Sequence, residues 1–173
     1  MLKNMFFTGM VAAATTMALA QPVAAEAATL GPSAHLCNSN ASAILVDVSG
    51  FKARTGSLRV QLYTADATFL DKGKWIERID LPVGAGSGPM RVCVPVRNAG
   101  DYVISVRHDM NGNGKSDRSD GGGLSGNPDM KLMDFLSKRK PRLAAVSFPV
   151  GAATKRVPVT LNYVRGLSFQ PVK

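Results

Sequence analysis

The sequence predicts an all-β protein, an antiparallel β-sandwich, on three observations. Apolar residues recur at every second position in run after run, turn signals separate the runs, and one segment alone has a helical spacing. A strand with one apolar face needs a second sheet to cover it, and many short strands with turns between them build two such sheets. With 173 residues and 45% hydrophobic content the chain can bury one core but is short for two. Residues 28–173 are therefore read as a single domain.

Residues 1–27 read as a secretory signal peptide. Lys3 precedes an apolar run with no charge until Glu26, and small-residue patterns place cleavage after Ala20 or after Ala27. A membrane anchor would need roughly 20 strongly apolar residues, and Thr8, Gly9, Thr15 and Thr16 interrupt this run. No transmembrane segment is expected in the mature chain, which is placed in the periplasm or secreted. Export gives the two cysteines, Cys37 and Cys93, a meaning: in an oxidising compartment they are expected to form a disulfide. Closing a loop of that size stabilises by on the order of 4 kcal/mol.

The strands follow in order. "AILVDV" is a short one. In "SLRVQLY", Leu58, Val60 and Leu62 face the core while Arg59, Gln61 and Tyr63 face the wet side. "KWIERIDL" is the next. In "PMRVCVPV" the inward set is Met90, Val92, Val94 and Val96, which puts Cys93 on the outer face, so the disulfide is expected to tie the N-terminal segment across the outside of a sheet. "DYVISVR" points Tyr102, Ile104 and Val106 inward. "LAAVSF" reads as a short strand, and "RVPVTLNY" closes the series with Val157, Val159, Leu161 and Tyr163 inward. Pro95 and Pro158 each remove a ladder donor, so they mark edges or bulges. The exception is "NPDMKLMDFLSKRKPR", where Met130, Leu132, Met133 and Leu136 behind Pro128 and Asp129 predict one short helix near 129–138.

The stretch "HDMNGNGKSDRSDGGG" carries the chemistry. Counted from Asp109, oxygen-bearing side chains fall at the first, third, fifth, ninth and twelfth places as Asp109, Asn111, Asn113, Asp117 and Asp120. Gly114 is sixth, and Lys115, seventh, offers its backbone carbonyl. That is the ligand order of an EF-hand-type calcium loop, and three carboxylates with two amides suit Ca²⁺ and not zinc. Asp120 stands where a longer glutamate is usual, and no helix flanks the loop, which is expected to join β elements. The plain alternative is a turn, since Asn-Gly is the favoured pair of a tight hairpin. His108 beside it reads as a strand-end structural histidine, because imidazole suits softer metals.

Other features point to partners. Lysine and arginine total 21 against 12 acids, a formal net charge of +9. The run Lys138, Arg139, Lys140 and Arg142 is a candidate docking patch for an anionic cell-envelope glycan or lipid, lipopolysaccharide included, although such runs are commonly solvated faces; nucleic acid is not expected. Trp75, near Phe69 and Leu70, is either core or a stacking surface for a sugar. A hydrolase is the remaining alternative, since two carboxylates such as Asp117 and Asp120 can in principle do glycosidase work. The glycine-rich loop offers no visible sugar cleft, however, and a nucleophile needs a base beside it, while His108 is the only histidine outside the N-terminal tail. The chain is read as non-enzymatic.

The segments "GSLRVQLY", "FLDKGK", "VPVRNAGDYVISVRHDMNGNGKSD" and "VPVTLNY" together resemble the bacterial secreted family known as domain of unknown function 2141, from Ile44 to Tyr163. Its most specific element matches His108, Asp109, Asn111, Gly112, Asn113, Gly114 and Asp117. The resemblance implies a small sandwich of the immunoglobulin or prealbumin kind in an exported protein, and implies no activity.

Overall fold

The structure is a computed structural model describing residues 27–137 and 139–172. The expected signal peptide, apart from Ala27, and Lys138 of the basic run lie outside the described residues. The chain enters as β1 (Thr29–Leu30) and the helix α1 (Ala34–Asn38), then runs through β2 (Ala43–Ser49), β3 (Ser57–Thr64), β4 (Glu77–Pro82), β5 (Met90–Pro95), β6 (Gly100–Asp109) and β7 (Gly121–Leu124). The helices α2 (Leu132–Leu136) and α3 (Leu143–Val146) precede β8 (Phe148–Val150), β9 (Lys155–Thr160), β10 (Asn162–Arg165) and β11 (Ser168–Pro171).

These strands form two sheets. The smaller has the order β1-β5-β2-β9; the larger runs β11-β10-β7-β6-β3-β4, with β8 also paired to β6. Every pairing in the larger sheet is antiparallel, whereas the smaller adds two parallel pairings, β1 with β5 and β2 with β9. The sandwich is all-β with minor helices, as its alternation predicts.

The core between the sheets is the inward set of that alternation. Val92 and Val94 of β5 and Val157 and Val159 of β9 meet Leu58, Val60 and Leu62 of β3 and Ile104 and Val106 of β6, each at most 5% exposed. "RVPVTLNY" is not one strand, however. It divides between β9 in one sheet and β10 in the other, and fully buried Leu161 lies at the crossing. The alternation continues through the crossing because Val157, Val159, Leu161 and Tyr163 all stay on the core side.

The outer face of the larger sheet is not wholly wet. Tyr63 and Val103, directly paired across β3 and β6, join Phe69, Leu124 and Val146 in a second apolar cluster, with Trp75, Met130 and Leu143 packed against it. This cluster also explains why "LAAV" is α3 and only "FPV" is strand. Leu143 and Val146, three apart, both reach the cluster from one side of a helical turn, which an extended strand would not allow. The predicted helix near 129–138 is present as α2.

Cys37 and Cys93 are bonded, with Cα atoms 5.9 Å apart. Cys93 lies on the outer face of β5 but is fully buried, and α1, which the sequence did not announce, sits beside it. Pro158 lies in the edge strand β9, where Asn127 bridges the free backbone: its amide donates to the Pro158 carbonyl at 3.2 Å and its oxygen accepts from the Thr160 N–H at 2.7 Å. Pro95 ends β5, past the reach of β1.

At the end of the core nearest the β6–β7 loop, His108 is fully buried and Tyr163 is its partner. The His108 Nε2 is 2.8 Å from the Thr55 carbonyl, which only accepts, so Nε2 carries the proton and Nδ1 accepts from the Tyr163 hydroxyl at 2.7 Å. That hydroxyl in turn accepts from the Lys52 N–H at 3.2 Å. Burial raises both Tyr163 and Tyr63 above the ordinary 10.0. A phenol with a raised folded value contributes stability that is complete below pH 10 and lost as pH rises through the folded value. Tyr163→Phe is therefore expected to cost about 1–3 kcal/mol at pH 8, because it strands His108 Nδ1 and the Lys52 N–H. The deficit should shrink above pH 10, where only the parent loses the Tyr163 contribution. Urea unfolding across this range checks both statements.

Candidate functional site

The loop from Asp109 to Asp120 connects β6 to β7, with His108 paired opposite Gly121, so it stands on a β-hairpin rather than between helices. Its base is fixed from the β2–β3 connection. Thr55 donates its hydroxyl to the Met110 carbonyl at 3.0 Å, and Gly56, at φ +73°, lies so close that a Cβ there would stand 1.9 Å from the Asp109 carbonyl. At the tip Gly112 and Gly114 adopt φ of +69° and +76°, the conformation for which the two Asn-Gly pairs are suited.

Within the loop the oxygens turn inward upon backbone and amide donors. Asp109 is almost wholly buried; its Oδ2 accepts from the Gly114 N–H at 2.8 Å and from Arg107 Nη2 at 3.2 Å, and its Oδ1 from the Asn113 N–H at 3.2 Å. Asn111 Oδ1 accepts from the Asn113 N–H at 3.1 Å, and Asn113 Oδ1 from the Lys115 N–H at 2.8 Å. Asp117 Oδ2 receives the side-chain amides of Asn111 at 2.8 Å and Asn113 at 3.2 Å, while its Oδ1 receives the hydroxyl and N–H of Ser119. Asp120, 3% exposed, accepts from the N–H groups of Met110 and Asp117, both at 3.3 Å.

The electrostatics follow from these contacts. The Ser119 hydroxyl and the Asn111 amide, with the Ser119 N–H, hold Asp117 down to about 2. Burial pushes Asp120 above the usual carboxylate range; the Asp117 N–H opposes this, and the charges of Asp117 and Asp109 add to it. The predicted ligand residues Asp109, Asn111, Asn113, Asp117 and Asp120 are thus brought to one another, with Lys115 on the loop between them. Among the described residues no three or more His, Cys, Asp or Glu side chains are arranged to hold a metal by themselves, so any cation here depends on the amides and the Lys115 carbonyl as well.

The other sequence candidates fall elsewhere. Arg139 pairs with Asp134 at 3.3 Å; Lys140 pairs with Asp71 at 2.7 Å, donates to the Ala67 carbonyl at 3.1 Å and lies over the Phe69 ring. Arg142 is exposed at the start of α3. Of the described part of the basic run, Lys140 alone is tied to the second cluster, and Arg139 and Arg142 remain exposed. Trp75 is half-buried against that cluster, with the Arg78 guanidinium 5.9 Å from its ring centre. Sequence reasoning missed Ser119 and Gly56; the glycine has a local signal, the "TG" turn before a strand, but its partner is remote.

A family model described as "Uncharacterized protein conserved in bacteria (DUF2141)" matches residues 46–158. No curated protein matches the chain, and no solved structure does.

Proposed function

Because the chain belongs to the bacterial DUF2141 family, whose match spans β2 to β9, we propose that it is a non-catalytic exported module of the cell envelope whose β6–β7 loop is ordered by Ca²⁺. One observation carries this reading: oxygen-bearing side chains at five of the ligand places of a calcium loop share one hydrogen-bonded knot, three of them carboxylates. Asp109, Asn111, Asn113, Asp117 and Asp120 would supply side-chain oxygens and Lys115 its carbonyl. Asp109 Oδ1 and both Asp120 oxygens each accept one N–H and keep a lone pair for an ion. Asp109 Oδ2 and both Asp117 oxygens accept two donors each, so Asp117 would exchange an amide or hydroxyl donor for Ca²⁺ on binding. Bound Ca²⁺ would supply the positive charge that three neighbouring acids call for.

Further support comes from the rest of the chain. The signal-like N-terminus and the Cys37–Cys93 disulfide favour an oxidising compartment, and no helix among the described residues is long and apolar enough to cross a membrane. His108 has both ring nitrogens engaged and no exposed surface, which favours a structural rather than an acid–base role.

Calorimetric titration of the chelator-stripped protein tests the proposal. One saturable Ca²⁺ site is expected, with a gain of about 2.7 kcal/mol at a hundredfold excess over Kd, or about 8 °C in melting temperature. Both effects should vanish in Asp109→Ala and Asp117→Ala. No heat and no shift in the parent at millimolar Ca²⁺ would leave the loop a turn.

A further inference from the structure

Between the second apolar cluster and the β6–β7 loop, the outer face of the larger sheet holds an open groove of about 690 Å³, within the size range of small-molecule sites. The strand registers give its floor. Asn162, Gly122, Arg107 and Arg59 form one row across β10, β7, β6 and β3, and Ser105 and Gln61 lie opposite each other in the next row.

Three features of this floor leave groups that the fold does not fully use, although Arg107 Nη1 also donates to the Ser116 hydroxyl at 3.0 Å. Arg59 and Arg107 stand at directly opposed cross-strand positions, where like charges repel. Each has a single carboxylate partner, Asp80 at 2.6 Å and Asp109 at 3.2 Å; the Nη groups of Arg59 make no hydrogen bond among the described residues, and Arg107 Nε is buried without an acceptor. An unpaired buried donor costs stability that a purely architectural residue has no reason to carry. Next, the side chains of Gln61 and Ser105 are half-buried at the groove and make no hydrogen bond among the described residues. Finally, Trp75 and Phe169 line the groove from opposite flanks of the sheet, the Phe169 ring reaching over Gly122, with its Cζ 3.6 Å from where a Cβ would stand. The acids at its rim have partners already: Asp71 holds Lys140, Asp134 holds Arg139, and Asp117 and Asp120 hold loop donors.

We propose that this groove binds a saccharide bearing a carboxylate. The guanidinium of Arg59, beside that of Arg107, takes the carboxylate, which suits the planar fork of an arginine. A sugar ring fits over Gln61 and Ser105, whose free amide and hydroxyl meet its hydroxyls, and the C–H faces of the saccharide suit the aromatic flanks. The inference rests on the sheet face and holds whether or not the loop takes Ca²⁺.

The test is an NMR titration of the ¹⁵N-labelled protein with trigalacturonate, and with uncharged maltotriose for comparison, each in chelator and in millimolar Ca²⁺. Saturable shifts with trigalacturonate are expected at residues 59–61, 105–107 and 121–123, with weak or no shifts from maltotriose. Arg59→Gln should weaken binding about tenfold, since it removes a charge-assisted contact. Ser105→Leu, which fills the floor opposite Gln61, should abolish binding while amides away from the groove keep their shifts. No saturable shift with trigalacturonate in either condition overturns the proposal, as does equal binding of maltotriose or parental affinity in Arg59→Gln.

Discussion

Gly56→Ala is expected to lower stability by about 4 kcal/mol, a fall of about 12 °C in melting temperature, and to distort the β6–β7 loop at its base. Two costs combine. A side chain at φ +73° is strained in its own backbone, and the new Cβ would stand 1.9 Å from the Asp109 carbonyl and 2.7 Å from that of Met110, both main-chain atoms that move only if the loop moves. The control is Gly73→Ala. Its φ is +77°, but nothing lies within 4 Å of the added Cβ, so it should cost only the conformational part, about 1 kcal/mol. Thermal melts of the two variants separate strain from close approach; equal losses would mean that the β2–β3 connection does not buttress the loop. If Ca²⁺ orders the loop, Gly56→Ala should also weaken its binding, because Asp109 is the first oxygen of the ligand series.

The paired substitution Cys37→Ser with Cys93→Ser should have the next largest effect, about 4 kcal/mol, because the bond closes a loop 56 positions long in the unfolded chain. The loss should be uneven. No side chain of α1 is buried, and its N-cap residue Ser33 makes no capping hydrogen bond, so little besides the bond and its turns holds that segment on β5. Amide exchange at residues 34–41 should accelerate far more than exchange in β2 or β5. The strands should accelerate together, as a loss set in the unfolded chain requires, and an equal acceleration at 34–41 would show that the bond gives that segment no local support.

Much of the sandwich was legible because the pleat enforces a period of two. Leu58, Val60 and Leu62, or Met90, Val92, Val94 and Val96, have their burial fixed by parity once the strand is recognised, and parity also placed Cys93 on the outside. What parity cannot show is which sheet a strand joins. "RVPVTLNY" keeps its alternation while crossing from one sheet to the other, so the break at Leu161 leaves no mark in the pattern. Nor can it show a cover supplied from far along the chain: Tyr63 has a wet-face position and is buried because the segment from Phe69 to Trp75 and α3 fold over it.

The candidate site divides in the same way. The ligand order from Asp109 to Asp120 is local and could be counted directly. The knot that joins those side chains is largely local too, as Asn111 and Asn113 reach Asp117 within one loop. The support from Gly56 and Thr55, and the pairing of Arg59 with Arg107, arise only when β3 and β6 come into register, and no spacing in the sequence announces them.

The central claim is that this loop is a cation site, and lanthanide anomalous diffraction tests it most directly. Crystals grown with Ca²⁺ and soaked in Tb³⁺ should show one strong peak among the oxygens of Asp109, Asn111, Asn113, Asp117 and Asp120 and the Lys115 carbonyl, with ligand distances of about 2.3–2.6 Å. A map without that peak, in which the amides of Asn111 and Asn113 still donate to Asp117, would contradict the claim and leave a turn that satisfies itself.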